Sequence, residues 1–124
     1  MERIVNAIIE DDFEWFVELV KKSGFNQADP SGFTPLMYCI LHERPRMADF
    51  LLENEVDVNK QNDIGNTALF YAVFKSKDNT GLIEKLLKKG ADMDIANNAG
   101  VSPLSLANSM ANDRVKKFMN DWTK

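Results

Sequence analysis

The sequence predicts an all-α fold, a solenoid of stacked helix-turn-helix units joined by β-turn loops, and three observations carry that prediction. A turn-forming segment recurs three times at nearly constant spacing. Apolar residues at helical intervals follow each copy in two successive stretches. The one cysteine, Cys39, excludes an internal disulfide, so each unit must be stabilised by burial against its neighbours.

The repeated segments read Asp29-Pro30-Ser31-Gly32-Phe33-Thr34-Pro35-Leu36, Asn62-Asp63-Ile64-Gly65-Asn66-Thr67-Ala68-Leu69 and Asn97-Asn98-Ala99-Gly100-Val101-Ser102-Pro103-Leu104. Their glycines stand at 32, 65 and 100, giving periods of 33 and 35. Leu51-Leu52 and Leu86-Leu87 repeat at 35, which places the two extra residues between Thr67 and Leu82, most simply in 75–80. Asp or Asn followed by Gly is turn chemistry, because the Asx side chain bonds nearby backbone and Gly supplies a positive φ. Thr34, Thr67 and Ser102 stand where a helix N-cap hydroxyl is needed, with Pro35 and Pro103 at the first helical position.

Two helices follow in each unit. Leu36, Cys39 and Ile40 form the first stripe of the second unit, and Leu69, Ala72 and Val73 that of the third. Pro45 opens a second helix with Met47, Phe50 and Leu51 inward; Leu82, Ile83, Leu86 and Leu87 repeat the pattern, with Glu84 and Lys88 as an i,i+4 pair. The spacing predicts helices near 4–10, 13–22, 34–42, 45–53, 67–75, 80–89, 102–109 and 112–122, with turn tips near 30–32, 63–65 and 98–100. The last helix carries Val115, Phe118, Met119 and Trp122 on one stripe, so Phe118 and Trp122 are expected to be its buried anchors.

The Gly-x-Thr-Pro-Leu segment, the Leu-Leu pair and Gly90-Ala91-Asp92-Met93-Asp94 together resemble the ankyrin repeat. The resemblance covers the whole chain as a single domain, with units at about 1–28, 29–61, 62–96 and 97–124, the outer two acting as caps. Three departures stand out. Met37, Phe70 and Ser105 occupy the position where the family often has a histidine bonded between repeats, so that polar network is expected to be missing. Glu43 replaces the usual glycine between helices, which leaves the tightness of that turn open, and Ala68 replaces a proline.

Composition is that of an ordinary globular domain, 44% hydrophobic and 27% charged, and no apolar run approaches a membrane span. The N-terminus is acidic early, unlike a signal or transit peptide, and a cytoplasmic location is expected. Net charge is −4, with 6 acidic and 3 basic residues in each of the first two units but 4 basic against 2 acidic in the last. Lys85-Lys88-Lys89 and Arg114-Lys116-Lys117 read as solvated outer faces of helices, so no nucleic-acid partner is expected. Catalysis and metal binding would need convergent groups, yet His42 is the lone histidine, one turn after Cys39, where the family has a small buried residue. No catalytic residue, metal ligand or cofactor is assigned.

The resemblance implies a protein-binding module that is free as a monomer and covers or inhibits a partner through its concave face. Small arrays of this kind resemble immunity proteins or antitoxins, and the alternative is an adaptor or scaffold subunit. By register, the partner-binding residues are expected to be Phe33, Leu41, His42, Asp63, Ile64, Asn66, Phe74, Lys75, Val101 and Met110. Two or three of the large apolar ones are expected to fold down onto neighbouring units. Phe33 and Phe74 are the expected anchors, and the acidic first half suits a partner with a basic surface.

Overall fold

The computed structural model describes residues 1–123, and the expected series of helix pairs is what it contains. Among those residues there are eight helices and no strand: α1 Glu2–Ile9, α2 Phe13–Ser23, α3 Pro35–Leu41, α4 Pro45–Leu52, α5 Ala68–Phe74, α6 Gly81–Lys88, α7 Pro103–Ser109 and α8 Asp113–Trp122. The odd-numbered helices pack on one another in order as an inner layer, and α2, α4 and α6 do the same as an outer layer. Between the layers lies one apolar core that includes Ile8, Phe16, Leu36, Leu51, Leu69, Ile83, Leu86 and Met119, all fully buried.

Local chemistry explains the starts of α2, α3, α5, α7 and α8 and two of the turns. The hydroxyls of Thr34 and Thr67 accept the backbone N–H of Met37 and Phe70, and Ser102 and Ser105 form a reciprocal capping box. The carboxylate of Asp12 and the amide of Asn112 cap α2 and α8 in the same way. The tight turns after α1 and α3 have Asp11 and Glu43 at φ 57° and 59°, and matching backbone bonds run from Asp12 N–H to the Ala7 carbonyl and from Arg44 N–H to the Cys39 carbonyl. The turn at Glu43 is therefore as tight as a glycine would make it, with a non-glycine in the left-handed region. The connection from α5 to α6 is the long one, 75–80, where the period shift had placed the extra residues.

Arg44 supplies a tie that helical periodicity does not reveal. Its Nε and a terminal nitrogen donate to the carbonyls of Ile8 and Ile9 at 2.8 and 2.9 Å, so a cation caps the C-terminus of α1 and joins the first two units.

The two ends of the array differ. On α4, Arg46 lies over the Phe13 ring at 3.8 Å and Phe50 packs on Phe13 and Phe25, so the side bearing 46, 47 and 50 faces the first unit. Ala48 and Leu52, on the other side, face the third. The positions in α8 equivalent to Ala48 and Leu52 are Lys116 and Asn120, and Asn120 donates to Asn108 of α7 at 2.7 Å. That C-terminal face suits water. The equivalents of Met47 and Met37 in the first unit are Trp15 and Val5, which are only half-buried.

The anchors of α8 are not those the stripe suggested. Val115 and Met119 are fully buried, Phe118 is half-buried, and Trp122 is 41% exposed, its ring 6.0 Å from Phe118. Trp122 stands at the position of the exposed Asn54, at the far end of the outer helix and beyond the neighbouring unit.

Candidate functional site

The fingers that precede α3, α5 and α7 are built on one Asx residue each. The Oδ1 atoms of Asp29, Asn62 and Asn97 each accept two backbone N–H groups: Ser31 and Phe33, Ile64 and Asn66, Ala99 and Val101. Adjacent fingers are then joined. Asp63 N–H donates to the Ser31 carbonyl at 3.0 Å, and Asn98 N–H to the Ile64 carbonyl at 2.9 Å. This approach is close enough to require glycine: a Cβ on Gly65, which has φ 91°, would stand 2.8 Å from Asn98 N and 2.9 Å from Asn97 Cα.

The second polar atom of each Asx side chain bonds a further polar group, within the unit for Asp29 and Asn62 and in the preceding unit for Asn97. Asn62 Nδ2 donates to the Tyr71 hydroxyl at 2.8 Å, Asn66 Nδ2 to the same oxygen at 3.2 Å, and Asn97 Nδ2 to Asn66 Oδ1 at 2.8 Å. Tyr38 donates its hydroxyl to the carboxylate of Asp29. Burial and this bond push the Tyr38 phenol up to about 12. Burial alone would raise the Asp29 carboxyl, but the bonds from Tyr38, Phe33, Ser31 and Gly32 outweigh it and hold the group below its usual range. No inter-unit side-chain bond comes from Met37, Phe70 or Ser105 among the described residues; the tyrosine bonds lie within their own units, and the Asn97–Asn66 amide pair joins the third unit to the fourth. Tyr38 and Tyr71 are 33 apart, in phase with the repeat, and that period was the available signal.

The ten register positions separate into three groups. His42, Asp63, Ile64 and Phe74 are exposed, with Ile64 at 52% and Phe74 at 60%. Phe33, Leu41, Lys75, Val101 and Met110 are half-buried. Phe33, Leu41 and Met110 pack against the core, which matches the expected two or three that fold down. The Phe33 ring lies between Tyr38 and Tyr71, centroids 5.6 and 5.8 Å away, so it is a spacer between fingers rather than a free anchor. Asn66 is a correction: its side chain turns inward and is only 6% exposed, because Tyr71 and Asn97 take its polar atoms.

Aromatic stacking extends this row. His42 stacks on Tyr38 at 6.4 Å, and Phe70 meets Tyr71 edge-on at 5.8 Å. A continuous row of rings thus runs from His42 through Tyr38, Phe33 and Tyr71 to Phe70, with Tyr71 buried and Phe33, Tyr38 and Phe70 half-buried, while Ile64 in a finger and Phe74 at the end of α5 are exposed. Cys39 is fully buried, and burial pushes its thiol far up, with Arg44 only partly opposing. It is an inert core group rather than a partner for the exposed His42.

Among the described residues no group of three or more His, Cys, Asp or Glu is placed to hold a metal ion, and no helix is long and apolar enough to cross a membrane. A crevice of about 190 Å³ lies between the second and third units, lined by Cys39, Ala48, Ala72, Arg44, Asn79 and Leu82 among others, beside the long 75–80 connection.

Comparison with known families matches "Ankyrin repeats (3 copies)" at residues 4–62, "Ankyrin repeats (many copies)" at 45–80 and "Ankyrin repeat" at 64–98. The chain is similar to an ankyrin repeat domain-containing protein of myxoma virus (strain Lausanne), 38% identical over 64 residues, which cover 52% of this chain and 13% of that protein. It is also similar to inversin of Canis lupus familiaris, 38% over 82 residues, 66% of this chain and 7% of inversin. Neurogenic locus notch homolog protein 1 of Mus musculus matches at 38% over 87 residues, 69% of this chain and 3% of that protein. The chain thus spans a small part of the length of these relatives. Ankyrin repeats mediate protein–protein interaction, and with the family matches running from residue 4 to 98 over the helix pairs and fingers described above, this chain belongs to the ankyrin-repeat family.

Proposed function

We propose that this chain is a non-enzymatic module that covers or inhibits a partner protein through the concave face formed by its fingers and inner helices. The observation that carries the reading is the exposure of Ile64 in a finger and Phe74 at the end of an inner helix. The fold does not need either side chain buried, and large apolar groups left in water on a scaffold mark interaction sites. Asp63 at a finger tip and the acidic first two units suit a partner with a basic surface. The location is cytoplasmic, and the partner is neither nucleic acid nor membrane. Within this reading the role is toxin neutralisation, and an adaptor or scaffold role is the alternative. The identity of the adjacent gene distinguishes the two.

The test is a capture from native-host lysate on three immobilised proteins: the unaltered chain, Ile64→Ser/Phe74→Ser, and Lys117→Ala on the outer face. A protein retained by the first and third but lost from the second supports the reading. Equal retention by all three removes the concave face from consideration.

A further inference from the structure

Resting on the concave-face reading above, we propose that the occupant of that face is an amphipathic α-helix of the partner protein. It lies across the ends of the inner helices with its N-terminus over the first unit. Ile9, Leu41 and Phe74 are the last residues of the inner helices α1, α3 and α5. Those helices pack on one another in order, so the three side chains form a row from the first unit to the third. Ile9 is 50% and Phe74 60% exposed, and Leu41 is half-buried. Phe74 has a unit on either side and is the most exposed of the three, so the exposure belongs to the register position and not to an end of the array.

Spacing narrows the occupant. Packed helices lie about 8–10 Å apart, which sets the step between neighbouring side chains of the row. An α-helix returns to the same face after seven residues, a rise of about 10 Å. Apolar residues at i, i+7 and i+14 of one helix therefore meet Ile9, Leu41 and Phe74 in turn. A β-strand offers same-face side chains about 7 or 13 Å apart and misses this step. A polyproline II segment repeats every third residue, at about 9 Å, and fits the row as well as a helix does.

Charge order decides between those two and sets the direction. The residues that follow the three helices continue the row as Glu10, His42 and Lys75, from acidic to basic. Glu10 and His42 are exposed, and Lys75 is half-buried. An α-helix carries about half an elementary charge at each end, positive at its N-terminus and negative at its C-terminus. It complements the gradient when its N-terminus lies over Glu10. Polyproline II, without internal hydrogen bonds, has no aligned dipole of that kind.

The probe is a synthetic alanine- and glutamine-rich peptide of about 18 residues, with both ends blocked and leucine at three positions seven residues apart. Fluorescence anisotropy with the full chain at up to about 1 mM is expected to saturate, and the helical circular dichroism signal to rise on mixing. Ile9→Ser and Phe74→Ser are each expected to weaken binding about fivefold or more with the chain still folded, and Lys117→Ala on the outer face to leave it unchanged. Two control peptides, one with the leucines five residues apart and one proline-rich with leucine at every third position, are expected to bind about tenfold more weakly. A nitroxide at the N-terminus of the probe is expected to broaden amide signals around Glu10, and one at its C-terminus those around Lys75. No saturable binding, equal binding of the three peptides, tighter binding of the proline-rich one, or the reverse broadening pattern overturns the proposal. A lysate partner lost from Ile64→Ser/Phe74→Ser, but held fully by Ile9→Ser and not displaced by the probe, overturns the helix alone and leaves the concave-face reading standing. Equal retention by all three immobilised proteins removes both.

Discussion

Phe33 and Phe74 have the same side chain on the same surface, and the structure assigns them opposite duties, so truncating each in turn isolates the reasoning. Phe33 is half-buried between Tyr38 and Tyr71, with ring centroids 5.6 and 5.8 Å away. A fully buried Phe→Ala change costs about 3–5 kcal/mol, and half of that is about 2 kcal/mol for the area lost. Two aromatic pairings at about 0.5 kcal/mol each bring Phe33→Ala to about 3 kcal/mol. Phe74 is 60% exposed and its truncation falls in the surface range, under about 0.5 kcal/mol. In a domain of 124 residues, 3 kcal/mol lowers the melting temperature by about 10 °C. Urea titration and thermal melting followed by circular dichroism read both variants. Equal midpoints for the two, or the larger loss at Phe74, would refute the stacking account of Phe33 and return it to the list of free anchors.

Three further outcomes follow from the packing and the fingers. Met119→Ala should cost about 2–5 kcal/mol and Trp122→Ala under about 1 kcal/mol in the same titration, reversing the order that the helical stripe suggested. Gly65→Ala should lose about 2–4 kcal/mol, since it combines a positive φ with a Cβ against the backbone of the next finger, whereas Gly90→Ala meets only the φ penalty. The Asp29 carboxyl is lowered by folding from 3.8, so its contribution is present above that value and is lost as pH falls through the lower folded one. Asp29→Asn, which installs the residue found at the same place in the next two fingers, should remove that component. Melting temperature between about pH 5 and pH 2 should then fall less steeply in the variant than in the unaltered chain.

How far the sequence could be read depended on whether a residue's environment lies within its own unit. Helix positions and finger tips follow from local chemistry repeated in register, such as Thr67 before Ala68 or Asn97 before Gly100, and they were legible. The extra residues in 75–80 were legible because the period shift brackets them. Asn66 counts among the partner-binding positions by its register at a finger; its burial depends on Tyr71 and on Asn97 of the next unit, which spacing within one finger does not display. Trp122 continues an i, i+4 pattern from Phe118, but helical periodicity gives only direction, not whether a neighbour extends that far. Comparison with Asn54, its exposed equivalent, carried the missing information. Nothing in the spacing singles out Arg44 at a helix N-cap, and only the approach of the α1 C-terminus makes it a joint between units.

The central claim is that the exposed apolar side chains of the concave face bind a protein and are not needed for folding. Titration calorimetry of the captured partner against the unaltered chain and Ile64→Ser/Phe74→Ser, with the melting temperature of both recorded, tests it most directly. The account predicts at least a tenfold weaker complex, about 1.4 kcal/mol or more, with melting temperatures within a few degrees. An unchanged affinity in a folded variant would contradict it.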